Sequence, residues 1–85
     1  MSKQNNKMDI ETTILKIISK VSSSGISDIQ LQSYFIRDLD FTALEFAELL
    51  NKVEHEFNIE FTSFEEPHIF TVEDIVKLVR VKFQK

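Results

Sequence analysis

At 85 residues the chain can bury one modest core and form one domain at most. A 42% hydrophobic share with one Gly and one Pro excludes a loop-rich or repetitive protein, and the lack of cysteine excludes disulfides, thiolate metal sites and thiol nucleophiles. The net charge of −4 is uneven: Asp38 to Glu66 carries Asp38, Asp40, Glu45, Glu48, Glu54, Glu56, Glu60, Glu65 and Glu66 against Lys52 alone. Such a segment repels phosphate backbones, which argues against nucleic-acid binding and towards basic patches on partner proteins. For any one glutamate a solvated surface position is the simpler reading; the cluster says more than its members.

In chain order, residues 1–7 are expected to be a flexible polar tail and residues 8–85 the helical domain. Asp9 to Val21 is predicted as the first helix, with Ile10, Ile14, Ile17, Ile18 and Val21 on one side and Ser22-Ser23-Ser24-Gly25 ending it. A long connection follows, and its Ile26, Ile29, Leu31, Tyr34, Phe35, Ile36 and Leu39 predict packing over the core, with a short helical turn at Ser27–Gln32. Thr42 is predicted to cap the central helix, and Glu45 stands at the capping-box distance. Phe46, Leu49, Leu50, Val53 and Phe57 share its inner face, Leu44, Glu48, Asn51 and His55 its outer face, and Asn58 is a plausible end.

Thr62 to Pro67 has room for a turn or one helical turn. Thr71 then opens the last helix, with Asp74 at capping-box distance and Val72, Ile75, Val76, Val79 and Phe83 as its buried stripe. Lys77, Arg80, Lys82 and Lys85 suit the negative end of that helix dipole. No strand alternation is sustained and no repeat occurs. The expected fold is all-α: a small bundle of three main helices plus one short helix.

The central stretch Asp38-Leu39-Asp40-Phe41-Thr42-Ala43-Leu44-Glu45, with Glu54-His55-Glu56-Phe57 closing the helix, resembles the signature of acyl carrier proteins. Their pattern is Asp-Leu-Gly-x-Asp-Ser-Leu-(Asp/Glu), then a helix ending in Glu-x-x-Phe. The similarity runs without gaps from Phe35 through Thr71-Val72 to the last helix, and more loosely over all but the first seven or so residues. The resemblance implies a four-helix-bundle carrier, itself no enzyme, that holds acyl thioesters on a 4′-phosphopantetheine arm. Such carriers serve fatty-acid, polyketide-like or related lipid synthesis. A phosphopantetheinyl transferase, a ketosynthase and other acyl-processing enzymes would be the partners, met through the acidic central helix.

The chain departs from the pattern where it matters most. Ala43 occupies the position of the arm-bearing serine, and a methyl group cannot form the phosphodiester. Two readings account for it: a Ser→Ala change in a working carrier, or a paralogue that binds or regulates without carrying. An aminoacyl rather than an acyl cargo is a further alternative. The residues that the resemblance places in partner contact are Asp38, Asp40, Leu44, Glu45, Ala47, Glu48 and Glu54. Leu44 is read as a contact because its position and the family pattern agree, an incidental exposed leucine being the plainer alternative, and Asn51 stands where carriers often have an apolar residue.

Other chemistry has little support. Thr42 is explained by its capping role. Glu54, His55 and Glu56 are consecutive on a helix and cannot converge on one ion, and His68 stands alone beside Pro67. Glu45 and Glu48 lack any accompanying nucleophile, base or phosphate loop. The eight phenylalanines are first of all core filling, with a pocket for an unusual acyl group as a second reading. A cytoplasmic monomer with no membrane span is the expectation.

Overall fold

A computed structural model describes residues 9–22 and 28–83. The expected tail, Ser23-Ser24-Gly25, Ile26, the start of the Ser27–Gln32 turn and Lys85 lie outside them; within that turn, Leu31 and Gln32 form a simple turn. Three α-helices follow one another: α1 (Ile10–Val21), α2 (Ala43–Phe57) and α3 (Val72–Phe83), with a 3-10 helix at Glu66–His68 before α3. Asp9 caps α1 rather than joining it, its carboxylate accepting the Thr12 N–H and hydroxyl at 3.4 and 2.7 Å. α2 and α3 open as their sequences predict, with reciprocal capping boxes at Thr42/Glu45 and Thr71/Asp74.

α1 packs on both other helices. Ile14 and Ile18 of α1, Leu49 and Val53 of α2, and Val72, Ile75, Val76 and Val79 of α3 lose essentially all solvent contact. Burial of these side chains, each stabilising by roughly 1.5–3 kcal/mol, supplies the main drive for folding. The connection between α1 and α2 completes the core from one end with Phe35, Leu39 and Phe41. Phe35 is the hub there, its ring centroid 5.5 Å from Phe41 and 5.4 Å from Phe46.

The same connection is pinned to the start of α3. Tyr34 and Thr71 form an isolated antiparallel bridge. Phe35 N–H donates to the Phe70 carbonyl at 2.9 Å, and the Val72 and Glu73 N–H groups donate to the Ser33 and Leu31 carbonyls at 3.1 and 2.8 Å. The last two bonds occupy N–H groups that the first turn of α3 leaves free. The structure is an all-α bundle, with no strand among the described residues.

Several expectations change. Phe83 is not part of a buried stripe: it is 47% exposed, with one ring edge against Phe57 at 5.2 Å. It is the last residue of α3. Ile17 and Phe46 are half-buried, and Ile36 and Tyr34 project outward from the connection. The predicted turn is present at residues 63–65 and continues into the 3-10 turn at Glu66–His68. Pro67 falls inside it, because a proline near a helix start gives up only an N–H that had no partner. It is a single 3-10 turn, so among the described residues the bundle has the three main helices and one short element that were expected.

Candidate functional site

The site is built around the start of α2. The chain approaches through a turn in which Asp38 and Leu39 donate their N–H groups to the Tyr34 carbonyl at 2.9 and 3.0 Å. Asp38 closes this turn from the other side, its carboxylate accepting the Tyr34 N–H at 2.8 Å and pairing with Arg37 at 3.2 Å. The Tyr34 N–H first, and the Arg37 guanidinium second, hold the Asp38 carboxyl below its ordinary value. That guanidinium also lies 4.1 Å above the Tyr34 ring.

Asp40 then takes a left-handed conformation, φ 58°, at the position where the carrier pattern has glycine. Aspartate is among the few residues that tolerate that region. The kink lets Phe41 turn inward, where it is buried and its N–H reaches the Phe35 carbonyl at 2.9 Å. Thr42 is extended; its hydroxyl accepts the Glu45 N–H and its own N–H reaches the Glu45 carboxylate, both at 3.0 Å.

Ala43 is therefore the first residue of α2, exposed and at the positive end of a 15-residue helix. The surroundings suit a phosphodiester, but the side chain does not. A methyl group offers no oxygen, and the neighbouring Thr42 hydroxyl is engaged in the cap. The residues present do not fit a 4′-phosphopantetheine arm at position 43.

The side chains predicted for partner contact separate into two groups. Leu44 (78% exposed), Ala47, Glu48 and Asp40 face solvent around Ala43. Asp38, Glu45 and Glu54 are engaged within the fold. Glu54 accepts the Phe61 N–H at 2.7 Å through its carboxylate, while its carbonyl accepts Asn58 and Ile59 N–H groups. Asn58 ends α2 in the left-handed conformation, φ 57°.

Two hollows flank α2. One, of about 370 Å³, is apolar and lined by Tyr34, Phe35, Phe46, Pro67, Ile69 and Phe70 among others. The sequence points to core filling first and a pocket second for its phenylalanines, and nothing in their spacing reveals that the connection and the segment before α3 meet over Phe46. The other, of about 460 Å³, runs between α1 and α2, with Lys20, Glu48, Asn51, Lys52 and His55 on its walls beside Ile17. Among the described residues no three His, Cys, Asp or Glu side chains are grouped to hold a metal, and no helix is long and apolar enough to cross a membrane.

No family model matches the chain. Curated relatives do. It is 30% identical over 77 residues to the acyl carrier protein of Buchnera aphidicola subsp. Schizaphis graminum, spanning 91% of this chain and 98% of that protein. The acyl carrier protein of Rickettsia bellii is 30% identical over 80 residues, 94% of this chain and 90% of its own. Among solved structures, Rv0033 of Mycobacterium tuberculosis, provisionally described as an acyl carrier protein, superposes with a TM-score of 0.81 at 26% identity, covering 86% of this chain and 97% of that one. With the helical order, the capped start of α2 and the near full-length match in agreement, the chain belongs to the acyl carrier protein family.

Proposed function

We propose that this chain is an acyl carrier scaffold that docks on acyl-processing enzymes through the outer face of α2 and is silenced at its arm-bearing position. The observation that carries this reading is Ala43: exposed, first in a helix with an intact capping box and a left-handed approach, yet without a hydroxyl. A serine there would present its oxygen beside N–H groups that the first turn leaves free, where the helix dipole favours a phosphate. The apolar hollow behind Phe46 supports the sheltering of an acyl chain. Fatty-acid, polyketide-like or related lipid synthesis is the setting proposed, with a phosphopantetheinyl transferase, a ketosynthase and other acyl-processing enzymes as partners. The domain itself catalyses nothing in this reading, and its working form would be a cytoplasmic monomer.

The alternative, a module that binds partners and never carries, draws on departures beyond position 43. Asp40 stands in for a glycine at a left-handed position, and the polar Asn51 lies exposed on the outer face of α2.

Intact mass after incubation with coenzyme A, magnesium and a broad-specificity phosphopantetheinyl transferase tests the proposal. The chain as it stands is expected to stay unmodified, and Ala43→Ser to gain one phosphopantetheine. A folded Ala43→Ser variant that gains no mass would favour the non-carrying module. Modification of the unaltered chain would show that the attachment residue lies elsewhere.

A further inference from the structure

We infer that the hollow between α1 and α2 is a binding site for a small phosphate monoester, independent of the carrier reading above. Two lysines meet there from different helices, Lys20 of α1 and Lys52 of α2, and Asn51 and His55 line the same space of about 460 Å³. Lys52 is the only lysine or arginine between Asp38 and Glu66. It has a glutamate one turn away on each side, Glu48 and Glu56, and pairs with neither, whereas Lys77 pairs with Glu73 across the same spacing at 3.7 Å. Among the described residues, none of Lys20, Asn51, Lys52 and His55 has a side-chain hydrogen bond or ion pair. Their donors remain for a molecule that enters the hollow.

Charge selects the ligand class. A phosphate monoester carries nearly two negative charges near neutral pH and presents three acceptor oxygens, which matches two ammonium groups. A carboxylate would leave one lysine unmatched. Asn51 adds amide donors and His55 a ring donor, while half-buried Ile17 and the lysine stems give the organic part of the ester an apolar floor. The chain's net charge of −4 repels extended phosphate surfaces, but a small ligand responds chiefly to charges within a screening length of about 10 Å. Glu48 and Glu56 line the same hollow and oppose binding, so the affinity is lower than the lysines alone would give. Lys52 lies roughly 14 Å along α2 from Ala43 by the helical rise, and no part of the site requires an arm at position 43.

The test follows amide NMR shifts of the unaltered chain titrated with methyl phosphate at constant ionic strength and pH 7. Saturable shifts confined to the residues around Lys20 and Lys52 are expected, with acetate binding several-fold more weakly. Lys20→Gln and Lys52→Gln together, in a protein whose amide spectrum stays dispersed, should weaken binding about tenfold. Glu56→Gln alone should tighten it about twofold. Shifts that grow without saturation, equal binding of acetate, or an unchanged response in the double variant overturn the proposal. Flotation with phosphatidic acid vesicles separates the two sources of a phosphate group. Retention on vesicles that the double lysine substitution abolishes would assign the hollow to a lipid headgroup and overturn the small-ligand assignment. The transferase assay on Ala43→Ser plays no part in these measurements, so either proposal can fail while the other stands.

Discussion

Asp40 carries a cost that glycine would not. At φ 58° an L-residue with a Cβ is strained, and aspartate reduces that strain without removing it. Asp40→Gly should raise stability by about 0.5–1 kcal/mol, the strain relieved less the extra entropy of an unfolded glycine. Asp40→Val should lower it by about 1–2 kcal/mol. Urea midpoints for the two variants check this; a shift of the same sign for both would refute the conformational account. Asp38 and Glu65 act through charge. Asp38 is held low by the Tyr34 N–H and then Arg37, and Glu65 by the Thr62 N–H and then Lys82, whose ammonium lies 3.0 Å away. Their folded values lie below the ordinary 3.8 and 4.5, so the stabilisation is complete above those values and is lost as pH falls through the depressed ones. Unfolding measured at pH 7 and pH 3 should therefore show a smaller acid loss in an Asp38→Asn, Glu65→Gln variant than in the unaltered chain.

Among the elements, α2 depends on its two ends. Thr42→Ala removes the side-chain acceptor of the Glu45 N–H and half of the capping box, which should cost about 1 kcal/mol. At the other end, Glu54 resembled a docking residue in the sequence, yet its carboxylate binds the Phe61 N–H seven residues on. Glu54→Ala leaves that partly buried donor without its partner and should cost about 1–3 kcal/mol. Glu48→Ala, on the exposed face of the same helix, should fall within about 0.5 kcal/mol of the unaltered chain. Thermal melts of the two glutamate variants separate these roles. Equal losses would mean that the Glu54 hydrogen bond contributes nothing.

On the scale of the molecule, the helices leave one end of the core for the α1–α2 connection to fill. Phe35 does so from a segment with no regular structure, 1% exposed and in ring contact with both Phe41 and Phe46. Phe35→Ala should cost about 3–5 kcal/mol, a large share of the stability expected of so small a domain. Loss of the cooperative melt, or a fall in its midpoint of more than ten degrees or so, is the expected result. The wall of the apolar hollow depends on the same residue, so binding of a hydrophobic dye there should change with it.

The sequence alone determined what depends on neighbours along the chain. Helix periodicity, the Thr42/Glu45 and Thr71/Asp74 capping boxes, the Asn58 end and the missing hydroxyl at Ala43 all involve residues a few positions apart, where local hydrogen bonding and side-chain phase decide the outcome. The tertiary structure decided what depends on segments meeting in space. Strand-like pairing of Tyr34 with Thr71 brought two connections together and opened the hollow over Phe46. The return of the chain after Asn58 set the Phe61 N–H against Glu54, and the packing of α3 left Phe83 half in solvent with its ring against Phe57. Which carboxylates face a partner and which serve the fold rests on backbone N–H groups arriving from elsewhere, and residue spacing within a helix carries no record of them.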